Sequence, residues 1–320
     1  MKSRILFAAA AVVLAQGAGA QQYPSKPVKL VVGFAPGGAA DTVARAYGDQ
    51  LSRILGQAVV IENRAGAGSS IAADFVAKSA PDGYTLLIAS PASISVNPAL
   101  NAKLTYKASD LTPITKVSTS PLVVVANPAT GINSLKDLVA YAKKNPGKLN
   151  YATSGVGSAP HFGAAYFSQI AGVEMVHVPF KGGSPAIVSV VAGDTQVSFA
   201  TPPSVLPMVK AGRLKALAIS DPERSPLMPD IPGTKEAGIP DYAIAFWYGF
   251  FVPAGTPPEI IKKLFEATLA AGQKPEVKAT LAREGTEVAL SKSTEEFAAF
   301  LANDAKFWIK LAKESGATAD

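Results

Sequence analysis

Apolar positions along this chain fall into short continuous runs that alternate with stretches of helical spacing, and glycine or proline marks most junctions. Val28–Phe34 is an apolar run broken only by Lys29, and Pro36-Gly37-Gly38 follows it. From Thr42 to Leu55 the residues Val43, Ala44, Tyr47, Leu51, Ile54 and Leu55 recur on one helix face, and Gly56 stops the pattern. Val59–Glu62 reads as a short strand, Ser69–Ala80 as a helix closed by Pro81-Asp82-Gly83, and Thr85–Ala89 as a strand. This βαβαβ rhythm predicts a mostly parallel sheet covered by helices.

A second unit of the same kind follows. Pro121–Ala126 reads as a strand, and Ser134 caps a helix over Leu135–Lys144 that ends at Asn145-Pro146-Gly147. Strands are expected at Asn150–Thr153, Met175–Pro179, Gln196–Ala200 and Leu214–Ser220, with helices at Ser158–Ala171, Ser184–Ala192 and Ser204–Ala211 between them. Asp221–Pro240 is proline-rich and reads as a connector back to the first unit. Ile244–Val252 is an aromatic strand, and helices are expected over Pro258–Leu269, Pro275–Glu284 and Thr294–Ser315. The last of these carries Phe297, Phe300, Leu301, Phe307, Trp308 and Leu311 for packing onto a core. Two α/β lobes with a C-terminal return imply two crossovers and a cleft that closes on a ligand by hinge motion. The expected fold is therefore a two-lobed α/β architecture with mainly parallel sheets. Its first lobe is discontinuous (residues 21–120 plus 241–320), and its second spans 121–240.

Composition narrows the function. At 320 residues, 48% hydrophobic and 17% charged, the chain is long enough for two domains and too apolar for disorder. Its net charge of +6 is dispersed, with no basic run interleaved with aromatics, which argues against a nucleic-acid partner. The absence of cysteine excludes thiol catalysis, cysteine-ligated metal and disulfides. Residues 1–20 have the layout of an export leader: Lys2 and Arg4, the apolar run Ile5–Ala15, then Ala18-Gly19-Ala20. That run is shorter than the roughly 20 residues a bilayer span needs. Cleavage near Ala20 is expected to leave a soluble, exported chain starting near Gln21.

Phe34–Asp41 joins the first strand to the first helix, at the sheet edge where parallel βα units bind ligands. Gly37 and Gly38 permit close backbone approach, and the free amides of the helix start favour an anion. A plain strand-to-helix turn uses the same residues, so chemistry alone leaves both readings open. Thr153–His161 repeats the layout in the second lobe, with Ser154 and Ser158 as hydroxyl donors. Two such helix starts facing across a cleft would hold an anion from both sides. Further glycine or proline loops stand at Asn63–Ser70, Phe180–Pro185 and Ala200–Pro203; Arg64 in the first of these reads as a solvated side chain rather than a counter-ion.

Enzymatic readings find little support. Gly37-Gly38 lacks the Lys-Ser/Thr of a phosphate-binding loop, the first unit has no G-x-G-x-x-G, and no G-x-S-x-G occurs. His161 and His177 are the only histidines. Ser158 and His161 could share a helix face, but a triad also needs an orienting acid. Zinc would need both histidines plus carboxylates at no recognisable spacing. His161 is expected as a polar group at the helix start near the cleft, and His177 as a strand residue with a satisfied partner. The aromatics Phe246–Phe251 read as core, with Trp247 or Tyr248 open to the cleft wall. No catalytic residue, metal or cofactor is expected.

Lys26–Gly38, then Asp41 and Ala44-Arg45, resemble the opening of the substrate-binding receptors of tripartite tricarboxylate transporters, the Bug family of periplasmic solute receptors. The resemblance continues through Glu62–Gly68, Ala80–Leu86, Asn97-Pro98, Thr153–His161, Val178–Gly182 and Pro253–Pro257. It implies a periplasmic, monomeric Venus-flytrap receptor that passes a small carboxylate to a membrane transporter of one large and one small subunit. It also implies a ligand carboxylate held between Gly37–Asp41 and Ser154–Ser158, partly by backbone amides. The expected contact set is Gly37, Gly38, Ala39, Ala40, Asp41, Ser90, Ser154, Gly155, Val156, Gly157, Ser158, His161, Thr201 and Trp247. Three departures stand out. Gly68-Ser69-Ser70 lies where members usually keep another glycine, Phe180 stands where tyrosine is common, and Ala245-Phe246-Trp247 replaces a stretch that often carries an acid. They suggest a more apolar pocket end, which makes an aromatic carboxylate an option beside a dicarboxylic one; the sequence does not name the acid. The alternatives are an α/β enzyme acting on a small organic acid and a ligand sensor for a membrane kinase.

Overall fold

In the computed structural model, which describes residues 23–316, two sheets organise the chain. The expected leader lies outside the described residues. Strands β1 (Val28–Val32), β2 (Val59–Asn63), β3 (Thr85–Ala89), β4 (Leu111–Pro121), β10 (Ala245–Pro253) and β11 (Glu287–Val288) form the first sheet, in the order β11-β4-β10-β3-β1-β2. Strands β5 (Val123–Ala126), β6 (Asn150–Thr153), β7 (Val176–Pro179), β8 (Val197–Ala200) and β9 (Lys215–Ile219) form the second, in the order β7-β6-β8-β5-β9. Helices α1 (Ala39–Leu55), α2 (Ser70–Ala77), α3 (Asn97–Leu100), α8 (Pro258–Gln273), α9 (Pro275–Arg283) and α10 (Thr294–Ser315) belong to the first lobe. Helices α4 (Leu135–Lys144), α5 (Ala159–Ala171), α6 (Gly183–Ala192) and α7 (Pro202–Lys210) belong to the second. Among the described residues no helix is long and apolar enough to cross a membrane.

The sheets are mixed, not mainly parallel. The βα units pair in parallel, as β1 does with β2 and β3, and β6 with β7 and β8. The strands at the lobe crossings run the other way: β10 is antiparallel to β3 and β4, and β5 is antiparallel to β8 and β9. A chain that leaves one sheet, builds another and returns inserts these strands in reversed direction. Strand β4 escapes a hydropathy reading because Pro113, Lys116 and several hydroxyl residues interrupt it.

The chain passes between lobes from β4 to β5 and from β9 to β10. Ser220, fully buried, ties the two passages together. Its Oγ accepts from the Leu122 N–H at 2.8 Å and donates to the Ile244 carbonyl at 2.5 Å. Its own N–H donates to the Leu122 carbonyl at 2.8 Å, and its carbonyl accepts from the Ile244 N–H at 3.0 Å.

Strand β10 is buried from Phe246 to Pro253, so both of its faces are core. Trp247 therefore does not line the cleft, contrary to expectation. Its ring meets Phe297 and Phe300 edge-on at 5.7 Å, and its Nε1 donates to Asp304 Oδ2 at 2.7 Å. Trp308 Nε1 donates to the same oxygen at 2.8 Å. Burial pushes the Asp304 carboxyl upward, while the two indoles and Lys116 pull it back. Trp308 also packs on Phe162 of α5 at 5.6 Å, so α10 reaches the second lobe on the side of the crossovers.

Candidate ligand-binding cleft

Each parallel βα unit delivers its turn to the carboxyl edge of its sheet. In the first lobe β1 presents Gly33–Gly38 and β2 presents Arg64–Ser69; in the second β6 presents Ser154–Ser158 and β7 presents Phe180–Gly182. The two edges touch. The Ala35 N–H donates to the Lys181 carbonyl at 3.3 Å, and Ser184 Oγ to the Pro36 carbonyl at 3.4 Å. Between them lies a cavity of about 350 Å³ lined by Gly33, Phe34, Gly66–Ser69, Asn101, Ser154–Val156 and Pro179–Lys181. A larger groove of about 660 Å³ lies on the first lobe between α8 and α10. No glycine loop reaches it, so the smaller interlobe cavity is the candidate site.

The loops pair crosswise, not as Gly37–Asp41 against Ser154–Ser158. A side chain on Gly38 would lie 3.8 Å from the Gly183 nitrogen and 3.9 Å from Ser204 Oγ, and one on Gly37 would lie 3.0 Å from Ser184 Oγ. Val156 and Gly157 instead meet Gly68 and Asn97. Helix α1 starts after Gly38, α6 after Gly182 and α7 after Thr201, and none has a side chain capping its first amides. Helix starts of both lobes thus converge at the cleft, each adding a partial positive charge.

The expected contact residues take different roles. Ser154, Gly155 and Val156 line the cavity. Ala39 and Ala40 are buried in the first turn of α1. Asp41 is not available to a ligand. Its carboxylate accepts from the Gly37 N–H at 3.0 Å, from Arg45 at 2.8 and 2.9 Å, and from Asn63 Nδ2 at 2.9 Å. Burial alone would raise its pKa, but these donors outweigh burial and hold it below the usual range. Asp41 therefore shapes the glycine turn, since a second carboxylate would be repelled by it. Ser158 Oγ donates to the Gly155 carbonyl at 2.6 Å and fixes the second-lobe loop. Thr201 Oγ1 pairs with Ser204 Oγ at 3.0 Å. Ser90, at the end of β3, is fully buried and its Oγ has no partner. Arg64 is engaged by Glu62 at 2.5 Å and lies 3.7 Å over the Phe75 ring.

His161 sits beneath the second-lobe loop. Its Nδ1 accepts from the Gly157 N–H at 3.0 Å, and its ring stacks on His177 at 3.9 Å. His177 Nε2 bonds Thr153 Oγ1 at 2.6 Å. Burial, with His177 adding, pushes the His161 pKa down to about 3, and burial pushes His177 to about 4. Both rings are neutral in the fold, whereas the unfolded chain takes up these protons near pH 6.5. The stabilisation is therefore complete above pH 6.5 and lost as pH falls towards 4. Urea titrations from pH 7 to 4 should show falling stability, with a slope of up to about 1.4 kcal/mol per pH unit for each ring. His161→Phe should remove its share of that slope. A slope identical to wild type would mean that His161 is already charged in the fold.

The expected contact set left out Gly33, Phe34, Gly66–Ser69, Asn101 and Pro179–Lys181 of the cavity wall; the loops Asn63–Ser70 and Phe180–Pro185 were noted only as further glycine loops. Gly33 and Phe34 close an apolar strand, and Pro179 ends another, so all three carry the signal of core or turn.

Comparison with known proteins agrees with this architecture. A family model described as the tripartite tricarboxylate transporter family receptor matches residues 43–317. Protein BugT of Bordetella pertussis is 36% identical over 300 residues, covering 93% of this chain and 92% of BugT. Rpa4515 of Rhodopseudomonas palustris, solved with adipate, superimposes with a TM-score of 0.88 at 31% identity, covering 92% of this chain and 99% of that one. MatC of the same organism, solved with bound malate, gives a TM-score of 0.85 at 31% identity over 90% of this chain and 99% of its own. The two-lobed fold, the cleft between its glycine loops and a family model spanning most of its length agree: this chain belongs to the tripartite tricarboxylate transporter receptor family.

Proposed function

We propose that this chain captures a small carboxylate between its lobes and passes it to a membrane transporter of one large and one small subunit. The observation that carries this reading is the make-up of the cavity wall. Lys181 is the charged residue on it, and no acidic residue accompanies it; the other polar residues are Ser69, Ser154 and Asn101. A wall with one cationic residue and no acidic one, beside the converging helix starts, favours an anionic ligand. Phe34, Val156, Pro179 and Phe180 supply an apolar middle that suits a dicarboxylic or aromatic acid. Adipate and malate, bound by two relatives, are acids of this size. The leader pattern of residues 1–20 supports work in the periplasm. The reading is capture without chemistry, with neither metal nor cofactor.

A thermal-shift screen over mono-, di-, tricarboxylic and aromatic acids tests it. An accepted acid at 100 times its dissociation constant should add roughly 2.7 kcal/mol of stability. The same acid should reduce the radius of gyration in small-angle scattering as the lobes close. Stabilisation by amines or neutral sugars alone would overturn the reading.

A further inference from the structure

We propose that Ser69 is a specificity residue of the cleft, whose hydroxyl binds a second oxygen-bearing group at the far end of the acid. The inference rests on the carboxylate reading above and adds a ligand shape to it.

Ser69 lines the interlobe cavity, is 1% exposed, and its Oγ has no partner. A buried hydroxyl without a protein partner is costly and rare in native folds. It is not used locally. Ser69 stands at the N-cap of α2, yet makes no side-chain bond to the first amides of that helix. The hydroxyl lies over the end of β1, where a side chain on Gly33 would come within 1.8 Å of Ser69 Oγ. Glycine at 33 leaves that space to the serine.

The backbone is also unusual. Ala67 at φ 46° and Ser69 at φ 76° are both left-handed, although neither is glycine. Such residues persist where the surroundings over-determine them, and they cluster at ligand sites. Here Asn97 is the clamp: its Nδ2 donates to Ser70 Oγ at 2.6 Å and to the Ala67 carbonyl at 3.4 Å. The Ser69 N–H donates to the Gly66 carbonyl at 3.0 Å. The loop is held in a conformation that presents Ser69 inward.

Ser90 strengthens the case. It follows β3, which pairs with β1 through Val32 and Ile88, and its buried Oγ is also unpartnered. Unpartnered hydroxyls thus stand over the end of β1, from Ser69, and at the end of the neighbouring β3, from Ser90; Ser69 is the one that lines the cavity, with Lys181 facing it from the second lobe. The ligand that fits is polar at both ends and apolar between: a diacid or a hydroxy acid, not a simple monoacid.

Calorimetry on wild type, Ser69→Ala and Ser69→Gly with matched acids decides the matter. The pairs are succinate and butanoate, adipate and hexanoate, terephthalate and benzoate. In the pair that the cleft accepts, wild type should favour the diacid by about tenfold. Both variants should weaken the diacid by about tenfold and leave the monoacid within about twofold. Ser69→Gly suits the left-handed backbone, so it separates loss of the hydroxyl from loss of the loop. Equal losses on both acids of a pair, or none on the diacid, overturn the assignment while carboxylate capture stands. Failure of all these acids to bind wild type overturns the capture reading and the assignment together.

Discussion

Gly68→Val should abolish ligand capture while both lobes stay folded. Gly68 is left-handed at φ 57°, and a β-carbon there would lie 2.4 Å from the Val156 carbonyl oxygen. Val156 belongs to the opposite lobe, and its carbonyl is backbone, so no side chain can rotate to relieve the clash. The lobes would have to separate, and the cavity that Gly68 and Val156 both line would lose its closed form. We expect affinity for the accepted acid to fall by about 100-fold or more. The left-handed strain of a β-branched residue should itself cost about 1–2 kcal/mol of stability. Gly56→Val separates the two effects, because Gly56 is left-handed at φ 69° with open space around it. It should lose stability and keep binding. Calorimetry on the pair checks this; binding by Gly68→Val within about fivefold of wild type would show that the lobes hold ligand in another arrangement.

The second large effect is on stability. Asp304→Ala should destabilise the fold by about 3–5 kcal/mol, because it leaves two buried indole N–H groups without an acceptor and opens a small cavity. Trp247 and Trp308 are 3% and 1% exposed, and their N–H groups meet the partly buried Asp304 as their acceptor. The melting temperature should drop by roughly 6–15 °C. Asp304→Asn keeps a single acceptor oxygen, and both indoles use one oxygen of Asp304, so it should lose only about 1 kcal/mol. Calorimetric unfolding of the three proteins reads this directly. A loss below about 1 kcal/mol in Asp304→Ala would mean that the indoles find other acceptors.

Much of the architecture was legible in the chain because apolar runs and glycine stops are local signals. The helix over Thr294–Ser315 and the strand over Thr85–Ala89 match their expected limits. Strand β4 was not legible, because its buried positions include Thr115, Ser118 and Ser120, whose hydroxyls lie in a sheet interior. Trp247 was misplaced for a related reason. Alternation distinguishes an inner from an outer face, and β10 has no outer face. The glycine loops were visible, but their pairing across the cleft was not. That pairing depends on how two lobes meet, which local spacing does not encode. Ser69 carried the signal of an ordinary helix start, and only its left-handed backbone and idle hydroxyl set it apart.

The hydrogen bonds of Ser220 have a consequence for the motion itself. With Leu122 and Ile244 held to one residue through both backbone and hydroxyl, the two passages between lobes behave as a ribbon, not as two separate strings. A ribbon flexes across its flat side and resists twist and sliding in its own plane. In the capture proposed above, closing is then travel along a single angle, with a mechanical cost that does not depend on which acid is held. Discrimination among acids is left to the groups lining the cleft, and the mechanical part of the receptor is indifferent to which of them arrives.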